Sequence, residues 1–304
     1  MNDSSNKMTL YSLRQAAGNS TGLRGIGNYI EVLKPRESVL ITYIGIFTAL
    51  IAAGGVPAPG SLVLIFFSVL LSCAGANGLT NYLDRSLDAR MERTRHRALP
   101  SGRIHPAEKV LPLTIGLAVA GLVLAWQLNL FCLIADLAGI IAAVVWRKRW
   151  TCVFPQGTLA SCTPVLMGWF GITTACTWQL VLLCVLITVW LPIHLWSVML
   201  THHDDYLNAG LTYFPIKRSR SGVIKLLLVL TFLLYAASIG IYVTGKYGLL
   251  YLVVANLLGI VLVCAGLRLV RSHSSLESWK LYKISAFPYL GIIFPAMYLD
   301  ILLM

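Results

Sequence analysis

The chain carries nine apolar stretches, each about long enough to cross a lipid bilayer, one after another from residue 38 to its end. A helix that spans the hydrocarbon core needs ~20 residues. Because lipid offers no hydrogen-bond partner to backbone groups, stretches of this kind form helices. The sequence therefore predicts an all-α polytopic membrane protein with nine transmembrane helices. We place them at 38–56, 61–83, 109–127, 129–146, 155–174, 178–200, 222–244, 247–268 and 284–303.

The composition excludes the soluble and the disordered classes of protein. Of 304 residues, 57% are hydrophobic and 12% are charged, whereas soluble domains carry about 25% charged residues. A disordered chain would be polar rather than apolar. The seven cysteines form no CxxC pair and lie mostly in apolar runs. That placement argues against a disulfide framework and against a cysteine metal site.

The positive charges are concentrated in every second connection between the predicted spans. The net charge is +12, which in a soluble chain would suggest nucleic-acid binding. In a membrane protein, Lys and Arg instead mark the cytoplasmic loops. With a cytoplasmic N-terminus, all but one of the 24 Lys and Arg residues lie inside, the exception being Lys246. We therefore expect a multi-pass protein of the cell membrane with no nucleic-acid partner.

The chain divides into a tail and one membrane domain. Residues 1–27 are polar and lack an apolar core of signal-peptide length, so we expect a flexible cytosolic tail. Residues 28–304 form the single membrane domain. Within it, residues 28–37 are expected to form a short helix at the membrane surface.

A polar stripe lies at the cytoplasmic end of the second span. Asn77, Asn81, Asp84 and Asp88 share one helix face, and Thr80 stacks beside Asp84. Two carboxylates one turn apart repel each other unless a cation bridges them. Mg²⁺ is typically held by one or two carboxylates plus substrate phosphates. The stripe therefore favours a magnesium site over an ordinary water-facing helix end, because amides buried toward the bilayer need partners.

A run of arginines follows the stripe directly, from Arg90 to Arg103. Clustered guanidinium groups are suited to binding a diphosphate. Ordinary positive-inside anchoring also explains these arginines. It does not explain the amides and the paired carboxylates beside them.

A second polar cluster follows the sixth span, on the same side of the membrane. It contains Asp204, Asp205 and Tyr206, preceded by the His202-His203 pair. Neighbouring side chains on a helix diverge by about 100°, so this pair does not favour a zinc site. His194 lies within the span, and its role stays open between packing and substrate contact. Asp136, in the fourth span, is not assigned a role and is more simply structural.

These motifs together resemble those of the UbiA-type membrane prenyltransferases. The match rests on Asp84-xxx-Asp88 followed by Arg93-Thr94-x-x-Arg97-x-Leu-Pro-Ser-Gly. Lys34-Pro35-Arg36, Lys148-Arg149, Pro164-x-x-x-Gly168-Trp169 and Pro192-x-His194-x-Trp196 with Asp204-Asp205-Tyr206 resemble the branch of that family that farnesylates haem. The resemblance covers about residues 30–300. Thr80 and Ser86 differ from the Asn and Asp that are usual at these positions.

The resemblance implies a nine-helix bundle whose central cavity opens to lipid and is capped by cytoplasmic loops. Its substrates would be farnesyl diphosphate and protohaem IX, and its cofactor Mg²⁺. Asp84, Asp88 and Asp205, together with Asp204, would hold the metal. Roles in catalysis or substrate binding would fall to Asn77, Thr80, Asn81, Arg93, Arg97, Lys148, His194, Trp196 and Tyr206. The sequence identifies no partner that would hand over haem.

Three alternatives remain from the sequence. The same chemistry could serve another acceptor, such as a quinone precursor or a lipid glycerol, although Pro192-x-His194-x-Trp196 argues against it. A transporter or haem-binding chaperone could keep the fold without the reaction, with Thr80 and Ser86 as its only support. A channel or carrier would be expected to show inverted repeats, which the sequence does not display.

Overall fold

A computed structural model describes residues 25–145, 153–245 and 247–304, and these form helices joined by loops. The first helix, α1, covers residues 25–32. The others are α2 Pro35–Ala53, α3 Pro59–Asp88, α4 Leu111–Leu128, α5 Leu130–Val144, α6 Gln156–Phe170, α7 Trp178–Thr201, α8 His203–Asn208, α9 Arg220–Gly245, α10 Leu249–Ser272, α11 Ser275–Ile284 and α12 Leu290–Leu303. A short 3₁₀ turn, Ala107–Val110, precedes α4, and a π-helical turn, Ser285–Tyr289, precedes α12.

Each predicted span coincides with a helix, but the helices differ in length. In the described residues, six are long and apolar enough to cross a membrane: α2, α3, α4 with its 3₁₀ turn, α7, α9 and α10. The apolar helices α5 and α12 have 15 and 14 residues, and α6 has 15. The last span was predicted to begin at residue 284, but the backbone at Ala286 is not helical and Pro288 lacks an N–H donor. Helix α12 therefore begins only at Leu290.

The membrane helices pack as a ring around a central space. Helices that follow one another in the chain are neighbours, and α12 packs back against α2. Helix α2 also packs on α6. The largest buried cluster runs through α7, α9, α10 and α12, with members such as Leu186, Leu227, Leu262 and Phe294.

A close helix contact, between α3 and α4, depends on Gly75. A Cβ atom on this glycine would lie 2.5 Å from the backbone nitrogen of Ala118 and 2.7 Å from the carbonyl oxygen of Thr114. Only a residue without a side chain lets the two backbones approach this closely. Because α3 carries the polar stripe, this contact fixes the height of the stripe in the bundle.

The predicted surface helix over 28–37 is two helices instead. Helix α1 already includes residues 25–27, which were expected to belong to the tail; the rest of that tail, residues 1–24, lies outside the described part of the chain. The break falls at Lys34, whose φ of 49° is left-handed. Pro35 follows, and a proline disfavours the α conformation in the residue before it. Helix α2 thus starts at Pro35 rather than at residue 38.

The loop of residues 89–106, called the arginine loop below, folds against α1. The backbone N–H of Ala98 and the Arg103 guanidinium both donate to the Glu31 carboxylate. A small apolar cluster that includes Val32 and Leu99 lies beneath these contacts. The loop is thereby held over the end of α3 where the polar stripe emerges.

Candidate functional site

The polar stripe on α3 is held by contacts to the α1–α2 junction. The Asn81 side-chain amide donates to the carbonyl oxygen of Val32 at 2.6 Å. The Asn77 amide donates to the Ser38 hydroxyl at 3.1 Å. The Thr80 hydroxyl donates to the Asn77 carbonyl one turn earlier, at 2.9 Å. These amides have the buried partners that their position near the bilayer requires.

Asp88, at the end of α3, forms an ion pair with the arginine loop. Its carboxylate lies 3.0 Å from the Arg97 guanidinium, and the Asp88 side chain is 10% exposed against 34% for Arg97. The Thr94 hydroxyl donates to the Asp88 carbonyl at 2.9 Å. The loop is therefore folded back so that one of its arginines reaches a carboxylate of the stripe.

The second acidic cluster, on α8, contacts the same loop. The Asp205 carboxylate accepts hydrogen bonds from the backbone N–H groups of Glu92 and Arg93, at 2.7 and 3.3 Å. The Arg93 guanidinium donates to the Tyr206 hydroxyl at 3.3 Å. Both acidic clusters thus contact the arginine loop. Arg93 Nε is buried with no hydrogen-bond partner among the described residues.

Asp204 and Asp205 are placed differently although they are neighbours in the chain. The Asp204 side chain is 94% exposed and lies 3.1 Å from the His203 ring. Adjacent helical side chains point about 100° apart, so only one of them can face the loop. The structure brings Asp205, and not the side chain of Asp204, into contact with the arginine loop.

Lys34 is a residue that the sequence placed in a motif without giving it a role. Burial lowers the pKa of its amino group, and so does the charge of Arg97, while Glu37, Asp88 and Asp84 act in the opposite direction. Lys34 therefore lies within electrostatic reach of both stripe carboxylates. The signal in the sequence was the Lys-Pro pair at the start of a span, which puts a cation at a helix break.

Two cavities follow the stripe, one above the other. The upper cavity, of about 290 Å³, carries charged and amide side chains and lies between Lys34, Asn81, Asp88 and Arg97. The lower cavity has a similar volume of about 290 Å³ and continues past Asn77 and Thr80 between α2, α3, α5, α6 and α7. Its walls are mainly apolar, with Ile44, Val69 and Met167 among them. The site therefore has a charged entrance and an apolar interior.

His194 lies in a column of stacked rings rather than alone. Its ring centroid is 4.8 Å from that of Trp190 and 4.7 Å from that of Tyr282, and Trp279 stacks on Tyr282 at 4.8 Å. His194 Nδ1 is buried and has no hydrogen-bond partner among the described residues. Trp190 also lines the lower cavity. The column thus connects the cavity with helix α11.

Trp196, two residues beyond His194, is placed elsewhere. Its side chain is buried, and its ring lies 4.6 Å from that of Phe214. Lys148 lies outside the described residues. Sequence reasoning did not find the ring partners of His194, which are Trp190 and Tyr282. Tyr282 belongs to a helix distant in the chain.

The donor set fits a metal that is bound jointly with its substrate. In the described residues, no group of three His, Cys, Asp or Glu side chains could hold an ion unaided. The available donors are carboxylate and amide oxygens on α3 and α8. Mg²⁺ prefers such oxygens and takes its remaining ligands from phosphates and water. This arrangement can hold a diphosphate between carboxylates, which bind through a metal, and guanidinium groups, which bind directly.

The sequence and the fold both match known proteins. Residues 38–288 match the model of the UbiA prenyltransferase family. A protein named protoheme IX farnesyltransferase from Desulforudis audaxviator is 33% identical over 281 residues, which cover 90% of this chain and 88% of that one. One of the same name from Symbiobacterium thermophilum is 33% identical over 283 residues, covering 91% and 94%.

Solved structures show the same fold at low sequence identity. A structure from work on digeranylgeranylglyceryl phosphate synthase superimposes with a TM-score of 0.74 at 18% identity, covering 92% of this chain and all of that one. A UbiA homolog from Archaeoglobus fulgidus, bound to GPP and Mg²⁺, gives a TM-score of 0.63 at 15% identity, covering 89% and 99%.

Proposed function

The chain belongs to the UbiA prenyltransferase family, and on that premise we propose that it transfers a farnesyl group from farnesyl diphosphate to a vinyl group of protohaem IX. Water adds in the same reaction, and the products are haem O and diphosphate. The observation that carries this proposal is the likeness to proteins named protoheme IX farnesyltransferase over about nine tenths of the chain.

The site supports the first step, which is the departure of diphosphate. The bond between farnesyl C1 and the diphosphate oxygen breaks, and diphosphate leaves with the electron pair. Lys34 and Arg97 line the charged entrance, where they would stabilise the developing negative charge. Arg93, on the same loop as Arg97 and hydrogen-bonded to Tyr206, would add a further positive charge. Asp84, Asp88 and Asp205 would hold Mg²⁺, which neutralises the leaving group as a Lewis acid. Lys148 is proposed as a further diphosphate contact from its motif alone.

The apolar cavity supports the second step. Its mainly apolar walls would shield the allylic chain from water. The π electrons of the vinyl group form the new carbon–carbon bond. A water oxygen then bonds to the carbon left positive on the haem side and loses one proton. Asn81 lines the upper cavity, and Asn77 and Thr80, also on α3, line the lower one; these side chains would orient the reacting end of the chain.

The aromatic column supports a flat acceptor beside this passage. Trp190 lines the cavity, and His194 stacks on it with an unpaired Nδ1 atom. A polar atom buried without a partner is costly, so it marks a place where a ligand group is expected. We place the haem on this side of the site, with Tyr206 nearer the diphosphate and Trp196 acting through its packing on Phe214.

The orientation in the membrane follows from the same proposal. We propose nine transmembrane helices, with the short helices α5, α6 and α12 completing the ring, and a cytoplasmic N-terminus. The arginine loop and α8 then face the cytoplasm, where prenyl diphosphates and Mg²⁺ are present. The alternation of basic connections supports this orientation, and the cell membrane is its expected location.

The experiment is a transfer assay with the purified protein in lipid nanodiscs. Protohaem IX, farnesyl diphosphate and Mg²⁺ are supplied, and the extracted haem is analysed by mass spectrometry. We expect a hydroxyethylfarnesyl haem that disappears with Asp84→Ala and persists with Glu92→Gln, whose side chain is 85% exposed on the arginine loop. Unmodified haem together with prenylation of a quinone precursor or a lipid glycerol would overturn the assignment of the acceptor.

A further inference from the structure

A buried carboxyl group lines the lower cavity, and the proposed reaction does not use it. Asp136, on α5, is 1% exposed and lines the cavity. Its carboxyl accepts a hydrogen bond from the Ser72 hydroxyl of α3 at 2.5 Å. Within the described residues, no basic side chain forms an ion pair with it. Burying a carboxyl group within a bilayer costs free energy. Its position on the cavity surface therefore points to a functional role.

The carboxyl marks the deep end of the cavity. On α5 the lining residues descend from Ala143 through Gly139 to Asp136, and on α3 they descend from Thr80 to Ser72 and Val69. Eight residues separate Thr80 from Ser72, which is about 12 Å along a helix axis. Beyond this level the space is filled by buried residues, among them Ala49, Ile65 and Cys132. A ligand that enters at the charged entrance and extends down the cavity therefore reaches Asp136 near its lower end.

The apolar side chains around this part of the cavity favour an apolar ligand, whereas the Asp136 carboxyl group does not. Ile44, Met167 and Ile187 line the same depth with carbon atoms. A carboxyl group that an apolar chain covers loses its remaining hydrogen-bonding capacity, since one hydroxyl does not satisfy both oxygens. Pushing a longer chain into this end would also separate Asp136 from Ser72. The Asp136 carboxyl group thus disfavours the binding of any chain that extends past it.

We propose that the Asp136–Ser72 pair sets the maximum length of the prenyl chain that this protein accepts. The proposal rests on the prenyl-transfer function above and adds a specificity-determining residue to it. The chain end stops at the carboxyl group, and a donor with one more isoprene unit must displace the pair. Asp136 acts here on the far end of the donor and takes no part in bond making.

The test compares donors of different length in the holo system, with the protein in nanodiscs, Mg²⁺ and protohaem IX. The values of kcat/KM are measured for farnesyl and geranylgeranyl diphosphates with the wild type, Asp136→Ala and Asp136→Asn. A pocket discriminates a single methylene by roughly 10- to 200-fold. We therefore expect Asp136→Ala to raise the geranylgeranyl-to-farnesyl ratio by at least about tenfold. Asp136→Asn, which keeps the size and a polar group, is expected to retain the wild-type ratio.

A second buried carboxylate provides the matched control. Asp300, on α12, is 2% exposed and accepts from the backbone N–H groups of Gly248 and Tyr251 at the start of α10. Asp300→Ala removes the same atoms from another part of the bundle, so it reports on lost stability alone. We expect it to leave the donor ratio unchanged. A shift as large with Asp300→Ala as with Asp136→Ala would overturn the proposal.

A binding measurement separates this proposal from the proposed function. Farnesyl and geranylgeranyl thiolodiphosphates, which resist cleavage, are titrated into the same nanodiscs, and binding is followed by the rise in unfolding temperature. A ratio of affinities that shifts with Asp136→Ala supports the length limit even if no haem is modified. Normal haem farnesylation with donor ratios that do not change would refute the length limit and leave the proposed function standing.

Discussion

Replacing Arg97 is expected to change metal binding and diphosphate binding in opposite directions. Arg97 pairs with Asp88 at 3.0 Å. Asp88 therefore has its cation already, and Mg²⁺ must compete for it. When the diphosphate arrives, Arg97 has a second anion to bind. Arg97→Gln should leave Asp88 free to bind the metal and at the same time lower the affinity for the diphosphate.

The size of the effect follows from the burial of the pair. A hydrogen bond to a charged group contributes about 1.5–3 kcal/mol when it is protected from water. Because the Arg97 side chain is 34% exposed, solvent screening reduces this to about 1–2 kcal/mol. At 1.4 kcal/mol per factor of ten, that is roughly a five- to thirtyfold change in a binding constant. We expect Mn²⁺, used as a probe for Mg²⁺, to bind tighter by this factor without substrate, and farnesyl thiolodiphosphate to bind weaker.

The assay is titration of Mn²⁺, followed by electron paramagnetic resonance, with the protein in nanodiscs and with and without farnesyl thiolodiphosphate. Arg95→Gln is the matched control, since Arg95 lies on the same loop and its side chain is 65% exposed. It should change neither constant by more than about twofold, as expected of an exposed ion pair. If Arg97→Gln weakens Mn²⁺ and diphosphate binding together, or leaves Mn²⁺ unchanged, the competition between Arg97 and the metal for Asp88 is refuted.

Three further predictions concern pH, the entrance and the packing of the stripe. Burial, helped by the charge of Arg93, lowers the pKa of His202, so the folded state favours the neutral imidazole. The free energy of unfolding should therefore fall as the pH drops below the pKa of about 6.5 that histidine has in the unfolded chain. In thermal unfolding, His202→Gln should lose less stability than the wild type between pH 7.5 and 5. Lys34→Met should raise KM for farnesyl diphosphate about tenfold, the cost of one charge-assisted contact, with little change in the unfolding temperature; an unchanged KM would remove Lys34 from the site. Gly75→Val should lower the free energy of unfolding by about 1–3 kcal/mol, because the new side chain forces α3 and α4 apart. Gly116→Val, in open space on α4, should not lower it. Equal unfolding temperatures for the two variants would contradict the close contact.

Much of the fold could be predicted from the sequence because the bilayer leaves few choices. Apolar stretches of spanning length must be helical, and each predicted stretch coincides with a helix. The errors fall where proline acts. Pro35 extends α2 toward the N-terminus and separates it from α1, and Pro288 with Ala286 delays α12 to Leu290. Window averages of hydropathy do not detect a break of a single residue.

The candidate site was predictable where residues share one helix and less so where they do not. The stripe from Asn77 to Asp88 follows from helical periodicity alone. The difference between Asp204 and Asp205 depends on how α8 is rotated, which adjacent positions in a sequence do not reveal. The stacking of Tyr282 on His194 joins helices distant in the chain, and so does the approach of Lys34 to the stripe. Contacts of this kind need the folded structure.

The central claim is that the two acidic clusters and the arginine loop form one metal–diphosphate site above an apolar cavity. The most direct test is a structure of the protein with Mn²⁺ and farnesyl thiolodiphosphate bound, using the anomalous scattering of manganese to locate the ions. We expect manganese between the carboxylates of Asp84, Asp88 and Asp205, the diphosphate against Arg93 and Arg97, and the end of the farnesyl chain at Asp136. Manganese bound away from α3 and α8, or a farnesyl chain outside the lower cavity, would contradict it.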